Sequence, residues 1–388
     1  GASDLAAIEA LRHQWLRADF GALPAIEVLS SEALQGASGA YAVETDTIYL
    51  AHELLTSATT EPAVAVLLEE IGHGIDARLG KGDSPGDEGE IFSTLARGLE
   101  LSAAQLEGLR QQDDSAQIVL DGQVLEVEQA TLTVDSFADS VTNDGELTLR
   151  EAIIAANGDI TREGQTGAGA DVITLSAGTF GLSTLGTEDA AYEGDLDITS
   201  NITIQGAGAG VTFIDANAID RVFDVLGTGS LTLENVTVTG GSIAAVGGGI
   251  RVATGGSVVL SHSVVSGNMA IDGGGIAVSG SATVRDSTIA NNSANAGGGI
   301  HLAATGTLTA NRSTLTGNTA PKGGGVYVLS DNATIGNSTL SNNSANYGGG
   351  LYLKSGSVAI ANSTISTNSA TEVSTSSGGG IFLSAGTI

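Results

Sequence analysis

Glu69, Glu70, His73 and Asp76 bring three carboxylates and an imidazole into eight residues. The surrounding AVAVLLEEIGHGID, residues 63–76, has a helical apolar period, with Val64, Leu67, Leu68, Ile71 and Ile75 on one face. Glu69, His73 and Asp76 then gather on the opposite face. Glu69 and His73, at i and i+4, are spaced to ligate one metal ion, calcium or zinc. The acidic loop that follows adds Asp83, Asp87, Glu88 and Glu90 as further oxygen ligands.

A second set of reactive side chains lies after residue 200. Arg251 shares a column with Ala277, His301, Tyr327, Tyr352 and Phe382, an outward-facing and partly aromatic row suited to stacking on sugar rings. Arg312 shares another with Asn235, His262, Asp286, Asn337 and Asn362. That second column sets His262, Asp286 and Arg312 on successive coils, about 4.8 Å apart per step. Such a trio offers acid–base chemistry; variable polar residues in an outward column equally describe a solvated face.

Both columns depend on an internal repeat. Gly triplets begin at Gly247, Gly273, Gly297, Gly323, Gly348 and Gly378, each followed by Ile, Val or Leu. Downstream come SVVSGN, STIANN, STLTGN, STLSNN and STISTN, ending at Asn268, Asn292, Asn318, Asn343 and Asn368. A period near 25 residues with short alternating strands predicts one solenoid coil per repeat. Leu231/Leu233, Val258/Leu260, Leu308/Ala310 and Val358/Ile360 sit two apart and point inward. Val265, Ile289, Leu315, Leu340 and Ile365 continue the inward stack after a bend. The asparagines fall at the next corner, where Asn tolerates left-handed dihedrals and its amide reaches the coils on either side. The glycines allow the tight turn before the next strand. Thr237, Thr288, Thr314, Thr339 and Thr364 form an outward column suited to exposed strands.

Before residue 131 the pattern is mixed. Strands are expected within 40–50, helices at roughly 4–18, 62–80, 88–100 and 102–112, and a hairpin over 118–128 around Asp121-Gly122. Ser102 with Gln105 matches a helix capping box. The division gives a small α/β domain over 1–131, then a solenoid over 132–388 whose first part, about 132–200, caps the coils. Apolar residues make up 41% but aromatics only 4%, so the core is built of small aliphatic layers. The 44 acidic residues against 14 basic give a net charge of −30, which argues against nucleic acid and anionic lipid as partners. No cysteine is present, so there is neither a disulfide nor a thiol site. No apolar run of about 18 residues exists to span a membrane.

Residues 131–240 resemble the leading segment of secreted bacterial right-handed parallel β-helix proteins that carry a CSLREAI-type motif. Here it reads LTLREAIIAAN, 147–157, with Thr148 in the usual serine position and no cysteine. ADVITL (170–175), DLDITSNITIQGAG (195–208), DRVFDV (220–225) and LTLENVTVTGG (231–241) follow in the family's order. The GGGI and Ser-x-Ile-x-x-Asn repeats are similar to those of chlamydial polymorphic outer-membrane proteins and large cyanobacterial surface proteins. The resemblance implies a mainly β, right-handed parallel β-helix, secreted or at the cell surface. It implies a stalk or adhesive surface touching carbohydrate or a cell, with a minority of polysaccharide-active relatives that often use calcium. An amphipathic LTLREAI helix would cap the first coil, with Leu149, Ile153 and Ile154 inward and Arg150 and Glu151 facing solvent or paired locally. No cap is visible near Ile388, so the coil there is expected to be open or truncated, and self-association or a longer chain is expected to cover it.

Residues 41–76 are similar to the edge strand and active helix of zincin metalloproteases, whose motif is His-Glu-x-x-His. Glu69 stands where the first histidine belongs, and Glu70 matches the position of the motif's general base. The similarity implies a degenerate zincin-like domain that docks or links; a structural calcium or zinc site and a metal-dependent peptidase are the alternatives.

Overall fold

The computed structural model describes residues 23–29, 34, 39–42, 45–52, 61–78, 88–96, 115–120, 123–128, 131–158, 160–167, 170–187, 190–329, 332–372 and 377–388. The chain divides into two compact units, 1–131 with 166–171, and 132–165 with 172–388.

In the first unit, Ala25–Leu29 pairs parallel, and Gly39–Ala42 antiparallel, with the central strand Thr47–Ala51. Helices α1 (Glu61–Arg78) and α2 (Glu88–Ala96) follow. Ser115–Leu120 and Gln123–Glu128 form an antiparallel hairpin with Leu120 opposite Gln123, which leaves two residues for the connection. The core gathers Ala40, Tyr41, Ile48 and Leu50 from the sheet with Val66 and Ile71 from α1. The buried face of α1 keeps Leu67, Ile71 and Ile75 of the expected one against the core but is shifted: Val64 is exposed, while Val66, Glu70 and His73 are buried. Close approach is the reason. A Cβ on Gly74 would lie 3.3 Å from the Tyr41 ring, so α1 rests on the sheet along a line that includes Gly74 and its neighbour His73.

The second unit is a parallel β-solenoid. One sheet has nine strands, from Thr131–Thr133 to Val358–Ala361; a second has eight, from Gly178–Gly181 to Thr364–Ser366; a third has eight, from Leu196–Ile198 to Ile381–Leu383. Equivalent residues pair in register from coil to coil, as in Leu231↔Val258↔Ala282↔Leu308↔Ala333↔Val358. Alternation sends one residue in two inward, so Leu233, Val238, Val252, Leu260 and Val265 are all fully buried in one continuous core. Each such aliphatic side chain contributes about 1.5–3 kcal/mol relative to exposure.

The corners explain the motif residues. Asn268, Asn292, Asn318, Asn343 and Asn368 form a ladder in which each Nδ2 donates to the next Oδ1 at 3.0–3.1 Å and to a carbonyl of the preceding coil. These asparagines are not the left-handed residues; the one before each is, with φ of 71°, 55°, 67°, 55° and 53° at Gly267, Asn291, Gly317, Asn342 and Thr367. The serines of the same motif form a second ladder: the N–H groups of Ser263, Ser287, Ser313 and Ser338 donate to Oγ of the serine one coil on. The first glycine of each triplet is left-handed, as at Gly273 (φ 65°), and a Cβ on Gly275 would sit 2.6 Å from the Gly299 carbonyl.

Candidate functional site

Every strand of the third sheet is three residues long, so its outer residues point inward and the middle one outward. Strand pairing makes the middle residues one column: Asp197, Asp224, Arg251, Ala277, His301, Tyr327, Tyr352 and Phe382. The register read from the glycine triplets is correct from Arg251 onward, and the column continues upstream through two aspartates that lie before the first triplet. The outward row is largely covered: Asp197 and Asp224 are buried, as are Ala277, Tyr327 and Tyr352.

The first rungs concentrate charge. Arg251 Nη1 donates to Asp224 Oδ2 at 2.6 Å, and Arg221 donates to the same oxygen. Arg221 Nε lies 3.3 Å from Asp195 Oδ2. Asp197 Oδ2 accepts the Ala191 N–H at 2.9 Å. Burial pushes the Asp195 carboxyl up to about 7, opposed by Arg221 and reinforced by Asp220 and Asp224. The carboxylates of Asp195, Asp197 and Asp224 lie within 4.8 Å of one another. No candidate named from the sequence included these three. Their signal was available in the apolar–charged–apolar triplets LDI, FDV and IRV, which align without any glycine.

Beside this cluster sits α3 (Leu149–Gly158), the helix of LTLREAIIAAN. Its start is a capping box: Thr148 Oγ1 accepts the Glu151 N–H and Glu151 Oε2 accepts the Thr148 N–H, both at 3.1 Å. Arg150 and Glu151 do not face solvent; they are 1% and 0% exposed. Arg150 forms a two-pronged pair with Asp139 and donates to the carbonyls of Ala191 and Gly194 at 2.9 and 2.8 Å. Burial alone would raise the Asp139 carboxyl, but Arg150 and the N–H groups of Ser183 and Thr184 outweigh it and hold it below the usual range. Burial raises the Glu151 carboxyl, against its bonds to Thr148. At the helix end Asn157 donates to the Asp197 carbonyl and accepts the Thr199 N–H. The conspicuous polar residues of the motif thus lock the first coil.

At the other end of the column, rings stack. His301, Tyr327, Tyr352 and Phe382 have successive centroids 5.2, 5.1 and 5.0 Å apart. Each interior ring, Tyr327 and Tyr352, has a neighbouring ring on both faces. Burial lowers the His301 imidazole, against Asp272, and raises the Tyr327 phenol.

The His262, Asp286 and Arg312 column is a turn position. Asn235, His262, Asp286, Arg312, Asn337 and Asn362 all have φ of 49–56°, the left-handed region in which Asn and Asp are favoured. Arg312 clamps Asp286 at 2.7 and 2.6 Å and holds its carboxyl below the usual range, while exposed His262 lies 3.1 Å from the Ser261 hydroxyl.

On α1 the structure describes the side chains of Glu70 and His73, both buried. Asp83 and Asp87 lie outside the described residues, as do the side chains of Glu69, Asp76, Glu88 and Glu90 and the expected Ser102–Gln105 capping box. Among the described residues, the group of acidic and imidazole side chains close enough to share a metal is Asp195, Asp197 and Asp224.

Coils stacked in register around one aliphatic core, with polar ladders at their corners, define the class as a parallel β-helix. Residues 221–388 match the family model described as a right handed beta helix region, and the solenoid is a right-handed parallel β-helix. Comparison with curated proteins and with solved structures gave no match. No helix among the described residues is long and apolar enough to cross a membrane.

Proposed function

We propose that this chain is an extracellular structural protein whose β-helix serves as a stalk or adhesive surface. The observation that carries the reading is the outward face of the second sheet. There Val264, Thr288, Thr314, Thr339 and Thr364 run beside Ser266, Ala290, Thr316, Ser341 and Ser366, rung after rung in register, beyond a first rung at which Thr237 is buried and bonded to the Ala209 carbonyl. A repetitive face of short, mostly hydroxyl side chains brings no acid and base together and suits repeated weak contacts, carbohydrate among them. The stacked rings of the aromatic column and the turn role of the His262–Arg312 column favour the same reading over catalysis. Support for the extracellular setting comes from the likeness of LTLREAIIAAN and the GGGI repeats to surface β-helix proteins.

Incubation with neutral and uronate polysaccharides, with and without calcium, tests the proposal. Retention on a polysaccharide without new reducing or unsaturated ends is the expected result. Release of such ends would make the chain a carbohydrate-active enzyme and overturn the reading.

A further inference from the structure

Burying an ionised carboxylate costs several kcal/mol unless it is paired, so the charge count around Asp195, Asp197 and Asp224 matters. Asp220 adjoins them, its carboxylate accepting the Arg221 N–H at 2.7 Å. Four carboxylates therefore face two guanidiniums, those of Arg221 and Arg251. Both arginines bond Oδ2 of Asp224. Its Oδ1, on a side chain 3% exposed, accepts no hydrogen bond. A buried anionic oxygen without a donor, next to two further buried carboxylates, is an arrangement that a cation completes.

We propose that Asp195, Asp197 and Asp224 bind a divalent cation of the calcium class on the first coils of the β-helix. The donor set is all oxygen, which suits a hard cation and disfavours zinc. Oxygens around calcium, at 2.3–2.6 Å, can stand about 5 Å apart, and the three carboxylates lie within 4.8 Å of one another. Strand pairing supplies the geometry: Asp197 lies opposite Asp224 on adjacent strands, one rung apart. The arginines occupy Oδ2 of Asp224 and leave Oδ1 for the ion. Because Arg150 and Asn157 already tie α3 to Gly194 and Asp197, the same ion would join two coils to the capping helix. The site stands whether the β-helix is adhesive or catalytic.

Calorimetric titration of the chelator-stripped 388-residue chain with calcium chloride tests the proposal. One site per chain, at least tenfold tighter than the background of surface carboxylates, is expected. Asp195→Asn and Asp197→Asn, which both keep the Arg251–Asp224 pair, should each remove it, while Asp286→Asn on the exposed Arg312 pair should keep it. Circular dichroism establishes that each variant is folded. Should Asp197→Asn fail to fold, the calcium-dependent rise in melting temperature decides: it must be present in the wild type and absent in Asp195→Asn. A wild-type isotherm matching that of Asp195→Asn, equal loss in Asp286→Asn, or tighter binding of zinc than of calcium overturns the assignment.

Discussion

One column of the third sheet solves the same spacing problem in two ways. At Asp197, Asp224 and Arg251 it stacks charge, and at His301, Tyr327, Tyr352 and Phe382 it stacks rings. Rungs about 4.8 Å apart suit offset rings, which satisfy one another within the column. The same spacing crowds like charges, so the acidic rungs draw on Arg251 within the column and on partners from outside it, namely Arg221 and the N–H of Ala191. The backbone sets the distance between neighbours; the side chains decide whether a column stands alone or depends on its surroundings.

If that contrast is right, the charged end is the fragile one. Arg150→Ala removes the buried pair with Asp139 and three carbonyl bonds, and should cost about 3–5 kcal/mol in urea unfolding. A cost near zero would show that the charged end does not rely on its pairs. The next effect is on pH dependence. Asp195 has a folded pKa near 7, above its unfolded value, so the folded state binds the extra proton. Its contribution to stability is present below about pH 4 and is lost as pH rises through about 7. In chelator, melting temperature should therefore fall between pH 5 and 8, and Asp195→Asn should flatten that slope. At the aromatic end, Tyr327→Leu keeps an apolar side chain but removes two ring contacts, each worth about 0.5–1.5 kcal/mol, and should cost about 1–3 kcal/mol in the same assay. Smallest is Arg312→Ala: the pair with Asp286 is exposed, and no measurable change in melting temperature is expected.

The sequence was most informative where the repeat is strictest. Leu231, Leu233, Val258, Leu260, Val265 and Ile289 were legible as core because strand alternation and a fixed period leave them no other place. The asparagine ladder was legible too, because one amide can bond the coils on both sides. Its left-handed neighbour was not, since that position accepts Gly, Asn or Thr and so shows no single letter. The serine ladder was visible as a motif, but its hydrogen bonds were not foreseen. For Arg150 and Glu151, expected to face solvent or pair locally, the local pairing holds and the solvent face does not: one pairs with Asp139 and clamps loop carbonyls, and the other closes a capping box. The acidic cluster was not legible from the glycine period, because its rungs precede the first glycine triplet and carry no repeat marker of their own.

The central claim is the register of the third-sheet column, and the absence of cysteine makes it directly testable. Ala277 and His301 are paired on adjacent strands, whereas Leu302, one residue on, points into the core. Paired parallel strands bring Cα atoms to about 4.8 Å, within the range a disulfide spans. Mild oxidation of the double variant Ala277→Cys/His301→Cys, followed by mass spectrometry of its digest, should give a linked peptide pair, and Ala277→Cys/Leu302→Cys should give none. Linkage of the second pair in place of the first would contradict the column and the site built on it.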